Sequence, residues 1–253
     1  MLSLYIITGA SSGLGACIAK EISSDEVHLI LIGRNNKNLM KVKSQCELNG
    51  SKVNTYSIDL SSNSYYEKFK NILSELNLEN YSKCTLINNA GTILPIVHLD
   101  NAKYEDVYNL FNLNLVSAIC LSQLFMKSCK NYAIKDSLIF NVSSGASLNA
   151  IEGWGLYCMS KSAINMLTNV IINDTKNWEN PVKSVSINPG PLDTNMQNEI
   201  RKSDEKQGPL KNKFVKMYNS GELFSPAIVA KRIKEIINSD LFPNGEYIDF
   251  TSK

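Results

Sequence analysis

Histidine is scarce in this chain. Only His28 and His98 stand among its 253 residues. One falls in a strand pattern and the other in a loop pattern, so a histidine-held metal has no ligand set, and no metal is expected. Cysteine is present at positions 17, 46, 84, 120, 129 and 158. No two of these are spaced C-x-x-C and none has a histidine at ligand spacing, so they read as free thiols of a reducing compartment. A surplus of charge is also lacking. The 26 Lys and Arg against 24 Asp and Glu leave +2, too little to gather nucleic acid or an anionic membrane. The basic run Arg201, Lys202, Lys206, Lys211, Lys213 and Lys216 is broken by Glu199, Asp204 and Glu205, and reads as a solvated helical face. No stretch approaches ~20 apolar residues, and the apolar start at 2–8 lacks the basic flank of a leader. The expectation is a cytoplasmic protein with neither membrane nor nucleic acid as partner.

What the chain does have is alternation. "LYIIT", "VHLILIG", "KVNTYSIDL", "CTLINNAG", "SLIFNVSS", "VKSVSINPG" and "GEYIDF" read as strands. Between them, helical spacing of apolar residues predicts helices over 13–23, 36–48, 65–76, 112–131 and 156–177, with a last one opened by Ser225-Pro226. Strand and helix in turn imply a parallel sheet covered on both faces. The fold class expected is α/β: a single doubly wound, Rossmann-type domain over 1–253 with about seven strands. Residues 192–221 are too long for a plain connection and read as a lid over a site.

"TGASSGLG" joins the first strand to the first helix, with Gly9, Gly13 and Gly15 around the turn. Glycine allows a tight turn and a close ligand approach, and the helix start offers free N–H groups to a pyrophosphate. Ser11, Ser12 and Leu14 complete that loop. The bland alternative is a glycine-rich turn that binds nothing. At the end of the second strand stand Arg34 and Asn35. An acid there selects NAD. Arg34, with no carboxylate beside it, suits a 2′-phosphate and so NADP(H), unless it is a plain surface arginine. Asp59 and Leu60 are placed for the adenine edge, and Asn89, Ala90 and Gly91 for the adenosine side.

Ser144 precedes Tyr157 by thirteen positions, and Lys161 follows Tyr157 by four. Residues i and i+4 stack on a helix. An ammonium beside a phenol is expected to lower the phenol's pKa. Such a tyrosine can protonate an oxygen that gains negative charge, while the serine bonds the same oxygen. Lys161 can also bond a nicotinamide ribose. A Y-x-x-x-K pattern on a surface helix is the ordinary alternative; the company of the phosphate loop and Ser144 argues against it.

With "TGASSGLG", "NNAG", "LNLVS", "NVSSGA", "YCMSK" and "NPGPLDT" in order, the chain resembles the short-chain dehydrogenase/reductase family nearly end to end. The resemblance implies an NADPH-dependent carbonyl reductase acting on a small-molecule ketone, and a homodimer or homotetramer paired through the two long helices. It implies a tetrad in which Asn114 joins Ser144, Tyr157 and Lys161 and holds a proton-relaying water. It also implies cofactor contacts from Pro189, Gly190, Leu192, Thr194 and Met196. "GWGLYCMSK", "NPGPLDTNMQ" and "GEYIDF" resemble the family's sepiapterin reductases, and equally, with "LSQLF", its bacterial benzil reductases. These imply a ketone beside a pterin ring or beside a second carbonyl, with Gly145, Trp154 and Gly190 joining Ser144 and Tyr157 at the substrate. Asp249 holds the place of a pterin-anchoring aspartate; otherwise it is a strand-end carboxylate. Trp154, Leu148 and the lid can shape the pocket or simply pack. One departure is Ser12, where such relatives often carry Arg or Lys. A second reading, a catalytically weak NADP-binding sensor or scaffold, predicts loss of Ser144, Tyr157 or Lys161, and all three are present.

Overall fold

The strands form because apolar residues alternate into two helical layers. In β1 (Leu2–Thr8), Leu4 and Ile6 enter one layer while Tyr5 and Ile7 enter the other, the period of two that a sheet covered on both faces requires. The computed structural model describes residues 1–203, 210–239 and 242–252. Its strands β2 (Val27–Gly33), β3 (Lys52–Ser57), β4 (Tyr81–Asn88), β5 (Ser137–Val142), β6 (Lys183–Asn188) and β7 (Tyr247–Asp249) join β1 in one seven-stranded sheet. The order is β3-β2-β1-β4-β5-β6-β7, and every pairing is parallel. The doubly wound single domain read from the sequence is thus the observed fold.

Helices α1 (Gly13–Ile22), α2 (Asn36–Leu48) and α9 (Pro226–Ile237) cover one face, and α3 (Tyr65–Glu75), α5 (Ser117–Asn131) and α6 (Gly155–Thr175) the other. The chain changes direction of winding between β1 and β4, which leaves a crevice at the carboxyl ends of these strands. All the motifs singled out above lie at this edge.

Two expectations need correction. The helix expected from 112 begins at Tyr104: α4 (Tyr104–Phe111) runs through a π-helical turn, Asn112–Val116, into α5. Asparagines at 109, 112 and 114 interrupt the apolar pattern and hide the continuity. The joined helix of 28 residues is long and apolar enough to cross a membrane by length and composition, and half of its most apolar window is buried. Its apolar face, Leu121, Leu124 and Phe125, packs into the core. The stretch after β6 is not an open loop either. It carries α7 (Asn195–Lys202) and α8 (Lys211–Asn219); residues 204–209, part of the expected lid and of the basic run, lie outside the described residues. Its two ends are clasped, since Phe224 N donates to Pro191 O at 2.9 Å and Asp193 N donates to Phe224 O at 3.1 Å.

Candidate active site

The first part of the site is the turn after β1. Gly9 (φ +65°) and Gly13 (φ +54°) hold left-handed conformations, which favour glycine. At positions 9 and 15 a Cβ would lie 2.8 and 2.5 Å from Asn89 Nδ2. These glycines therefore make room for Asn89. Its Nδ2 donates to Thr8 O at 2.8 Å, while Asn89 N and Ala90 N both donate to Thr8 Oγ1, at 2.9 and 3.0 Å. The ends of β1 and β4 are thereby fastened across the crevice. Asn89, expected to line the adenosine, has this bracing role in the structure.

A Cβ at Gly13 would meet the Thr194 methyl at 3.4 Å, so the segment after β6 reaches the phosphate loop. Ser12 precedes α1 and makes no side-chain cap bond. The first N–H groups of a helix have no intrahelical partners, and its positive end favours an anion. Gly13, Leu14 and Gly15 at this start, with Ser11 beside them packed near Gly33, fit a pyrophosphate.

Arg34 is exposed at the end of β2. It has company not foreseen from the sequence. Burial raises the Asp59 carboxyl, but bonds from the Ser61 side chain and backbone and the Arg34 charge outweigh it, leaving the group below its ordinary value. Asp59 is a carboxylate near Arg34 because β3 lies beside β2, a neighbourhood invisible in sequence order. Its Oδ1 accepts from Ser61 N and Oγ at 2.9 and 2.7 Å. Asn35 caps α2, accepting from Asn38 N at 3.0 Å. The Leu60 side chain is buried with Tyr65 and Phe69 in the core, so only its backbone remains for an adenine edge.

The second part is assembled from β5, α6 and the π-helical turn. Beyond Val142 the chain runs extended through Ser144 into a tight turn, Gly145–Ser147. α6 places Tyr157 and Lys161 one turn apart, 7% and 4% exposed. The Ser144 hydroxyl lies close enough to the Tyr157 phenol to favour its ionised form, and it accepts from Ala146 N at 3.2 Å. Lys161 Nζ donates to Val142 O at 2.8 Å and lies 5.8 Å from the Tyr157 ring centroid. A Cβ at Gly91 would be 3.3 Å from Asn114 Oδ1 and 3.6 Å from Lys161 Nζ, so these three adjoin. Asn114 is 1% exposed. Its Oδ1 accepts from Thr92 N at 2.7 Å, and its Nδ2 donates to Thr92 O at 2.8 Å and Ser160 Oγ at 3.2 Å. The structure thus gathers Ser144, Tyr157, Lys161 and Asn114 in one place. Asn114's side chain braces the loop after β4 from within a π-helical turn, a feature frequent at functional sites.

The electrostatics differ from the sequence reading in one respect. Burial pushes the Tyr157 phenol up to about 12, and the Ser144 hydrogen bond only partly opposes this. The lowering expected from Lys161 is not found: desolvation dominates the phenol, and the ammonium is directed at the Val142 carbonyl. Burial lowers Lys161 itself to about 8. At neutral pH the pair is a phenol above an ammonium that is poised to lose its proton.

Over this pair lies an apolar roof. Trp154 meets Tyr157 edge-on at 6.1 Å and stacks on Phe214 of α8 at 5.8 Å. Ile93, Ile96 and Ile200 complete it, with Met196 packed alongside. Leu148 points away, 60% exposed. Gly190 (φ +77°) is closed in by Phe224, whose ring carbons would lie 2.6 Å from a Cβ there; Pro189 and Leu192 flank it. Asp249 ends β7, where its Oδ1 accepts from Asn188 Nδ2, Thr251 N and Thr251 Oγ1 at 2.9, 2.8 and 2.7 Å. Asn188 in turn lies against Gly145. Thr8, Ile93, Asn188, Phe214 and Phe224 were not singled out from the sequence. Of these, Thr8 and Asn188 carry a visible signal, a polar residue at the carboxyl end of an apolar strand.

The Lys161 side chain is expected to titrate near 8, so that its ammonium is complete below that pH and lost above it. Side-chain carbon NMR shifts of the labelled lysine against pH check this. A midpoint at 10.5, the ordinary value, would remove burial as the controlling effect.

Three comparisons bear on the whole chain. A benzil reductase ((S)-benzoin forming) of Bacillus cereus is 37% identical over 245 residues, covering 96% of this chain and 97% of that one. A sepiapterin reductase of Bos taurus is 29% identical, covering 98% and 94%. The crystal structure of the KRED1-Pglu enzyme superposes with a TM-score of 0.83 at 25% identity, covering 97% and 99%. The family described as short chain dehydrogenase matches residues 3–205. With the fold, the phosphate turn and the serine–tyrosine–lysine cluster in place, the chain belongs to the short chain dehydrogenase family, whose members are oxidoreductases using a nicotinamide cofactor.

Proposed function

We propose that this oxidoreductase reduces an apolar ketone adjoining a second carbonyl, with NADPH. The observation that carries the reading is the apolar roof of Trp154, Phe214, Ile93, Ile96 and Ile200 above Tyr157. These aromatic and aliphatic side chains are packed together and largely buried against Tyr157, so a substrate that parts them would meet apolar surface. The name of the Bacillus cereus relative, a benzil reductase, supports the same choice. A pterin ketone is the second reading. Asp249's place in the last strand and the name of the bovine relative favour it. Against it, Asp249 Oδ1 already takes three hydrogen bonds from the protein.

The reduced nicotinamide, when bound, supplies a hydride to the carbonyl carbon. Gly9, Ser11, Ser12, Gly13, Leu14 and Gly15 hold the pyrophosphate, and Arg34 with Asn35 the 2′-phosphate. Asp59, Leu60 and Ala90 border the adenosine, with Asn89 bracing them. Pro189, Gly190, Leu192, Thr194 and Met196 border the nicotinamide, and Gly91 leaves space beside Lys161. Ser144 and Tyr157 bond the carbonyl oxygen, beside Gly145 and Trp154. Tyr157 hands its proton to that oxygen as negative charge develops there. A phenol held near 12 leaves a strongly basic phenolate, and Lys161, lowered to about 8, can reprotonate it downhill. Asn114 holds the loop that frames the lysine. The described parts of the expected lid, with α7 and α8, would close over the site and keep water away. Purified protein should oxidise NADPH with benzil and favour NADPH over NADH. Arg34→Ala should weaken NADPH far more than NADH, since only NADPH has the 2′-phosphate. Turnover of sepiapterin but not benzil, reduced by Asp249→Asn, would move the substrate to the pterin reading. Equal kcat/KM for the two cofactors would sink the NADPH assignment.

The same reading includes a homodimer or homotetramer. Ile119, Met159, Met166 and Val170 are exposed on α5 and α6, and a two-fold pairing of these helices would cover them. Light scattering at micromolar concentration should give at least twice the chain mass; a monomer would contradict it.

A further inference from the structure

The turn that carries Ser144 is gripped from two sides. From α6, Asn165 Nδ2 donates to Ser147 Oγ at 2.8 Å and Ser162 Oγ donates to Ser147 O at 2.5 Å. Ser147 in turn donates to the Ser144 carbonyl through N at 3.0 Å and Oγ at 2.6 Å. From the sheet edge comes β7. Tyr247 and Asp249 are two apart and so share one face of the strand. The Tyr247 hydroxyl donates to Ser144 O at 3.1 Å. Asp249 accepts from Asn188 Nδ2 at 2.9 Å, and that amide nitrogen lies 3.0 Å from where a Cβ on Gly145 would be.

We infer that Tyr247 is a positioning residue for the carbonyl-binding serine: its hydroxyl fixes the Ser144 backbone so that the serine side chain faces the Tyr157 phenol. The inference deepens the reductase reading and rests on it. Ser144 has extended backbone (φ −165°, ψ 157°) and stands just ahead of a turn of three residues, so a small rotation there swings its hydroxyl away. The Ser144 carbonyl is the handle nearest that rotation. Three donors from two different elements hold it, and Tyr247 is the one contributed by the sheet edge. Asp249, on the same face, backs the next residue through Asn188. A strand of three residues is thus coupled to the acid–base pair.

The test is Tyr247→Phe, which removes a hydroxyl and keeps the ring packed. Hydrogen exchange of the Ser147 amide, whose acceptor is the Ser144 carbonyl, should accelerate. With benzil, kcat should fall roughly 3–10-fold, the size of one neutral hydrogen bond, while KM for NADPH stays unchanged. In a Ser144→Ala background the same change should cost nothing further, because residues acting through one group are not additive. Unchanged exchange at Ser147, or an equal further loss in the Ser144→Ala background, would overturn the inference. Absence of ketone reduction by the unmutated protein, with the exchange effect intact, would instead overturn the reductase reading.

Discussion

A lysine ammonium sealed beneath a tyrosine is the constraint around which this molecule is arranged. Lys161 is 4% exposed and donates to the Val142 carbonyl at 2.8 Å. Burying a charge costs several kcal/mol unless partners replace its water, and the end of β5 supplies one such partner. Its position requires α6 to lie tightly on β5, with Gly91 and Asn114 allowing the loop after β4 to close around Nζ. A stability argument alone would place an apolar residue there. A desolvated lysine near 8 beside a desolvated phenol near 12 is instead the kind of perturbed pair that proton transfer uses.

Around this pair the ends of the strands are locked by polar brackets. Thr8 and Asn89 tie β1 to β4. Asn88 donates to Asn141 at 2.9 Å, and Asn141 to Thr168 at 3.0 Å, which ties β4 and β5 to α6. Asn188 and Asp249 tie β6 to β7. Parallel strands end together at this edge, so each bracket sits where the crevice would otherwise splay. The carboxyl edge is therefore both the rigid frame and the chemical surface, and rigidity there serves the sub-ångström placement that catalysis needs.

The fold was legible because its signals are local. Alternating strands, helical spacing and the glycine turn each occupy a few consecutive residues, and the catalytic trio reads from one helix and the strand before it. What escaped the sequence depends on residues far apart. Asp249 meets Asn188 across 61 positions, so its engagement inside the protein could not be seen beside "EYIDF". Arg34 and Asp59 approach only because β2 and β3 pair. Asn89 was expected beside the adenosine, but its bracing of β1 against β4, with Gly9 and Gly15 leaving room for its amide, joins residues 81 positions apart. The phenol's pKa went against the simple charge argument because burial dominates it, while the ammonium is turned to the Val142 carbonyl. The joined helix over 104–131 was hidden by asparagines, one of which, Asn114, sits at the site itself.

The account's central claim is that Tyr157 is the proton donor to a ketone oxygen, with Lys161 returning its proton and the other residues of the site binding and orienting. Stopped-flow oxidation of NADPH by Tyr157→Phe with benzil, alongside a direct titration of NADPH binding, tests it most closely. The account expects intact fold and cofactor affinity with turnover down by ~10²–10⁴-fold, the range for a lost general acid. Turnover close to that of the unmutated enzyme, in protein that still binds NADPH, would contradict it.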